Sequence, residues 1–172
     1  VRRAFTALAR PSVLLWLILL HCSDLMLVGF AGFVALYLVD SVSASSTQVS
    51  GAIAIWLGVG LVGDFLLVPL LEKVRGLTYL QISASLVLGL YPIFLLAPDF
   101  PLKLIILGCL GFLNAGWYSI LKAQLYTAMP GQSGTVLTLN NLFGLGGSLV
   151  PLGIGLIAQY LGLEKALWLL LI

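Results

Sequence analysis

Apolar residues run along this chain in five long blocks, at about 12–38, 48–71, 79–97, 103–126 and 135–158, with short polar turns between them. Each block is close to the ~20 apolar residues that carry a helix across a ~30 Å hydrocarbon core. A sixth block, residues 166–172, holds seven residues and is too short to cross. The pattern predicts an all-α, polytopic membrane helix bundle of five complete transmembrane helices plus a truncated sixth. The apolar run that stops at Ile172 and the opening Val1 lead us to expect a piece of a longer protein. Short turns force neighbouring helices to run antiparallel, which favours a compact bundle.

Composition narrows the class further. Hydrophobic residues make up 61% of the chain and charged residues 8%, against roughly a quarter charged in water-soluble domains. Too few charges remain to cover a soluble surface. The 19 glycines and seven prolines suit membrane helices, whose neighbours re-satisfy freed backbone groups. A net charge of +2 without a basic run gives no reason to expect a nucleic-acid partner. Cys22 and Cys109 both fall in apolar blocks and read as small buried residues, not as a disulfide or metal pair. Arg2-Arg3 before an apolar run imitates a twin-arginine export signal, and Leu19-Leu20-His21-Cys22 imitates a lipoprotein cleavage site. Four further full-length apolar blocks follow, and a cleaved signal peptide would not be expected to head them.

The turns give an orientation. Lys and Arg concentrate in cytoplasmic loops. With a cytoplasmic N-terminus, Arg2, Arg3, Arg10, Lys73 and Arg75 lie inside and only Lys103 and Lys165 outside, five against two. The opposite orientation reverses the bias, so the N-terminus is expected inside, in a plasma membrane of the bacterial inner-membrane kind.

Ionisable groups in the bilayer interior are costly and mark pathways or relays by default. The first block carries the densest group, His21, Cys22, Ser23 and Asp24. His21 and Asp24 are three residues apart and share a helix face. Such a pair can take up and release a proton during a transport cycle; an interhelical polar contact is the plainer reading. The second block carries Asp64. In the fourth, Asn114, Tyr118 and Lys122 recur every four residues as one stripe, flanked by Trp117 and Gln124. Lys122 either anchors at the headgroups or faces a cavity. The fifth carries Asn140, Asn141 and Ser148, which contact a solute or simply another helix. The third block holds Gln81, Ser83 and Ser85 near its inner end, where hydroxyls can bond back to their own helix. Polar chemistry thus sits in blocks 1, 2, 4 and 5, and blocks 3 and 6 read as peripheral. One histidine and one cysteine make no metal ligand set, and no cofactor is expected.

Residues 58–63 spell G-x-G-x-x-G. A dinucleotide site needs a strand before that motif and a helix opening at it. Here it lies inside an apolar helix, so helix packing is the better reading, with Gly51, Ala54 and Gly58 as the close-approach face. Gly144, Gly147, Ser148, Pro151 and Gly155 repeat the device in the fifth block, where Pro151 can also bend the helix.

The six short-looped helices, the basic turn after the second, the glycine-rich fifth helix and the polar distribution resemble the C-terminal half of a major facilitator superfamily transporter over the whole chain. The family's loop signature is Gly-x-x-x-Asp followed by basic residues. Here Gly60-Leu-Val-Gly-Asp64 is followed by Phe65, and the basic turn Glu72-Lys73-Val74-Arg75-Gly76 comes seven residues later. The resemblance implies that residues 1–172 are a transmembrane domain whose N-terminal partner half is missing. It also implies that helices 1, 2, 4 and 5 line a cavity and that the two halves rock against each other. It points to Asp64, Glu72, Lys73, Arg75 and Lys122 as cytoplasmic gate or loop-signature candidates. His21, Asp24, Asn114, Trp117, Tyr118, Asn140 and Asn141 are the candidates for the solute or proton path.

The expected function is therefore transmembrane transport of a small solute by alternating access, with or without a coupled proton. The expected partners are the lipid bilayer, the other half, a solute and protons. A non-transporting structural or sensor subunit with the same bundle is the main alternative, since fold does not fix function. An intramembrane enzyme would need a nucleophile–base or metal set at depth. His21 is the single histidine and neither H-E-x-x-H nor G-x-S-x-G occurs, so no enzymatic activity is expected.

Overall fold

The computed structural model describes residues 10–147 and 149–168. The expectations placed on Arg2, Arg3, Ser148 and residues 169–172 lie outside the described residues. Every regular element within them is helical: α1 Pro11–Asp24, a π-helical turn Leu25–Gly29, α2 Phe30–Asp40, α3 Ser46–Leu71, α4 Gly76–Leu96, α5 Phe100–Leu113, α6 Trp117–Ala128, α7 Ser133–Gly147, α8 Leu149–Leu161 and α9 Leu163–Trp168. Five helical stretches among the described residues are long and apolar enough to cross a membrane. They are Pro11–Asp40, Ser46–Leu71, Gly76–Leu96, Phe100–Ala128 and Ser133–Leu161. Their outward faces carry large apolar side chains, with Phe65 71% exposed and Leu96 72% exposed. So much apolar surface is incompatible with water on all sides and points to a membrane location.

Local signals set the helix ends. Pro11 opens α1 at a position where its missing N–H costs nothing. Ser45 and Gln48 form a capping box at the start of α3, with Gln48 N–H donating to Ser45 Oγ at 3.3 Å and Ser45 N–H to Gln48 Oε1 at 2.8 Å. Gly162 takes φ +88° between α8 and α9, a conformation L side chains avoid.

The chain folds into two compact units, Val1–Gly29 with Trp117–Gly153, and Phe30–Gly116 with Ile154–Ile172. In the first, α1 packs on α6 and α7. Val13, Leu17 and Leu20 of α1 recur at helical spacing and are fully buried, as are Leu125 of α6 and Leu139 of α7.

In the second unit α5 packs on both α3 and α4, α2 on α3, and α9 on α2. Its core is aromatic: Phe30 lies 5.0 Å from Trp56, 5.3 Å from Tyr91 and 6.1 Å from Phe94, ring centre to ring centre. The third block is thus not merely peripheral, because Val87, Tyr91, Phe94 and Leu95 are buried. Tyr91 also donates to the Leu167 carbonyl of α9 at 2.8 Å. Ser83 and Ser85 do bond back to their own helix, to Leu80 O at 3.2 Å and Gln81 O at 2.8 Å.

Three sequence expectations change here. The close-approach glycines of α3 are not Gly51 and Gly58, around which a Cβ would meet nothing within 4 Å; Ala54 is exposed as well. The contact uses the next glycines along. A Cβ on Gly63 would fall 2.8 Å from Ala115 Cβ, and one on Gly111 of α5 would fall 2.5 Å from the Trp56 carbonyl oxygen. The G-x-G-x-x-G run thus does pack helices, but through its C-terminal end. Cys22 and Cys109 are exposed, not buried. Lys103, read from sequence as the end of a loop, is buried: its Nζ donates to Tyr37 Oη and Phe94 O at 2.9 Å and to Leu95 O at 3.3 Å. The ammonium also lies 5.0 Å from the Tyr37 ring centre and 5.3 Å from that of Phe94. It therefore sits on the carbonyl end of α4, where the helix dipole favours a cation.

Candidate functional site

The first unit contains a cavity of about 390 Å³ lined by Leu20, His21 and Asp24 of α1, Tyr118 of α6, and Asn140, Asn141, Gly144 and Leu145 of α7. Five polar residues read from sequence as path candidates thus share one cavity, although almost a hundred positions separate Asp24 from Tyr118. The packing of α1 on α6 and α7 brings them together. His21 and Asp24 are a helical turn apart on α1, and Asn140, Asn141 and Gly144 follow one another around α7.

His21 is held from two sides. Its Nδ1 lies 2.9 Å from the Leu17 carbonyl oxygen, one turn back. A carbonyl only accepts, so Nδ1 carries the proton and in the neutral ring Nε2 is left as an acceptor. The imidazole rests against α7, where the Phe143 ring lies 5.9 Å away, centre to centre. A Cβ on Gly147 would come within 3.2 Å of His21 Cδ2, and one on Gly144 within 3.7 Å of Nε2. The two glycines, three apart on α7, leave a slot for the ring.

Asp24 ends α1, and the π-helical turn Leu25–Gly29 begins at the next residue. Such turns interrupt the regular i→i+4 ladder and recur at functional positions. The carboxylate is exposed to the cavity, and no cationic side chain among the described residues forms a salt bridge with it. His21 and Asp24 face the same space without an ion pair between them. The Lys122 ammonium, one turn beyond Tyr118 on α6, lies 5.1 Å from the Tyr118 ring centre and does not line the cavity. Trp117 is buried and is not part of the lining.

The stripe expected in the fourth block is broken. Residues 114–116 leave the helix, Gly116 adopts φ +71°, and Asn114 belongs to the second unit whereas Tyr118 and Lys122 belong to the first. The break frees backbone groups that a membrane interior penalises heavily when unpaired. Asp64 of α3 accepts from the Gly116 N–H at 2.8 Å. The Tyr79 hydroxyl of α4 is shared between Ala115 O at 3.2 Å and Leu113 O at 3.4 Å. Asp64 therefore has a structural partner inside its own unit. Glu72, Lys73 and Arg75 are exposed in the turn between α3 and α4, without a salt bridge among the described residues.

Sequence reading missed Tyr79, Lys103 and Gly116. The signal for the break was present, since Asn-Ala-Gly inside an apolar run is helix-ending chemistry. Nothing in the sequence marks Lys103 as buried. Among the described residues no group of three or more His, Cys, Asp or Glu side chains could hold a metal. Comparison with known proteins finds no match: no family model, no curated protein and no solved structure is similar to the chain.

Proposed function

We propose that this chain is one six-helix half of a secondary transporter of the major facilitator type, set in a bacterial inner membrane with its N-terminus in the cytoplasm. It moves a small solute by alternating access together with a second half, and Asp24 and His21 carry the coupled proton. The observation that supports this reading best is the cavity itself: His21, Asp24, Tyr118, Asn140 and Asn141, drawn from three spans, converge on one space of about 390 Å³. That volume lies at the small end of the range of solute sites. Polar side chains that merely glued helices together would instead be used up in interhelical hydrogen bonds. Asp24 makes no salt bridge among the described residues, which leaves it available to a proton or a solute. In the same reading Glu72, Lys73 and Arg75 contribute to a cytoplasmic gate.

The experiment is uptake or efflux by the complete transporter in sealed vesicles, with and without an imposed pH gradient. Asp24→Asn is expected to abolish the gradient-driven component. Unchanged transport and unchanged pH dependence in that variant would remove the proton role, and no transport by the parent under any gradient would favour a structural or sensor subunit.

A further inference from the structure

The lining of the cavity is electrostatically one-sided. It contains a single formal charge, the Asp24 carboxylate, which no basic side chain among the described residues neutralises. His21 donates through Nδ1 to Leu17 O, so its free nitrogen is an acceptor. Asn140 and Asn141 are neutral amides, and Tyr118 is a neutral phenol. The Lys122 ammonium lies over the Tyr118 ring and outside the lining. A carboxylate in a membrane span needs a positive partner, because an isolated charge is costly there. None of the described residues supplies it, so the cavity offers that place to a cation that enters it.

Resting on the carrier reading, we infer that the solute is a small organic monocation whose ammonium group sits at Asp24. The amides of Asn140 and Asn141 and His21 Nε2 then bond its polar substituents, while Leu20 and Leu145 contact its apolar part. Tyr118 is not the cradle for the cation, since Lys122 already occupies that ring's attraction. A solute with a carboxylate would meet Asp24 with the wrong sign, and a neutral polyol would leave the carboxylate unpaired. From α6 only Tyr118 faces the cavity, with Lys122 a turn beyond, and α7 contributes no ionisable side chain.

The test is equilibrium binding to the purified full protein in detergent, with three probes of matched shape: choline, its neutral carbon isostere 3,3-dimethyl-1-butanol, and glycine betaine. In mildly alkaline buffer choline is expected to bind about tenfold tighter than the isostere, as one charge pair of modest strength gives. That ratio should fall toward one in Asp24→Asn, and persist in Asp24→Glu, whose folding is checked by thermal unfolding. Equal binding of choline and its isostere, tighter binding of betaine, or no saturable choline binding would overturn the inference. Because binding is read without transport, choline selectivity in a protein that fails to transport would defeat only the carrier reading.

Discussion

The Asp64 carboxylate accepts a hydrogen bond from the backbone N–H of Gly116 at 2.8 Å, so that a side chain of the second span closes a break in the fourth. Tyr79 closes the carbonyl side of the same break. Asp64→Ala leaves the Gly116 N–H without an acceptor and should destabilise the fold by about 1–3 kcal/mol. Asp64→Asn, which retains an oxygen acceptor, should cost less. Thermal unfolding in detergent checks both. A gating role alone would predict lost transport with an unchanged unfolding temperature.

Close packing of α3 on α5 depends on particular glycines. Gly111→Ala forces a methyl against the Trp56 carbonyl, and Gly63→Ala forces one against Ala115. Each should cost about 1–3 kcal/mol, as overpacking does. Gly51→Ala and Gly58→Ala meet open space and should be neutral or stabilising by up to about 1 kcal/mol, through helix propensity alone. Equal effects at all four positions would refute this assignment of the interface.

Lys103 presents two opposing terms. Burying an ammonium is costly, but two of its three hydrogen bonds satisfy the C-terminal carbonyls of α4, Phe94 O and Leu95 O, and the third goes to the Tyr37 hydroxyl. In Lys103→Met the Leu95 carbonyl keeps the Tyr37 hydroxyl as donor at 3.1 Å, whereas Phe94 O loses its side-chain donor. We expect a net loss of about 1–2 kcal/mol, since hydrogen bonds from charged groups are the stronger ones. A raised unfolding temperature would mean that desolvation dominates.

Gly147→Ala places a methyl 3.2 Å from His21 Cδ2. The ring then has to give by a few tenths of an ångström, which strains its hydrogen bond to the Leu17 carbonyl. Gradient-driven transport should drop severalfold, less than the roughly 100-fold that a 1 Å misplacement can cost, while Gly146→Ala, which meets nothing within 4 Å, should transport normally.

The spans were legible because hydropathy over some twenty residues is a strong, local signal. The shared placement of His21 and Asp24 followed from helical spacing within one block, whereas their meeting with Asn140 and Asn141 comes from the packing of α1 on α7, which spacing within a block does not specify. Asn114 was misplaced because four-residue spacing assumes an unbroken helix, and Gly116 breaks it. Gly51 and Gly58 were chosen over Gly63 because small residues recur on several faces of α3, and sequence does not say which face meets a partner. Lys103 was invisible for a related reason: two of its three partners are backbone carbonyls, which every sequence contains.

Carrier function requires Asn141, Asp24 and their neighbours to border a watery crevice. In the protein with Cys22 and Cys109 replaced by alanine, Asn141→Cys and Leu152→Cys would be exposed in sealed vesicles to a charged, membrane-impermeant thiol reagent. Asn141 lines the cavity, whereas Leu152 is 63% exposed on the apolar helix α8. Rapid modification at Asn141→Cys from the cytoplasmic side, with Leu152→Cys inert, is the predicted result. An Asn141→Cys as unreactive as Leu152→Cys from both sides would contradict it.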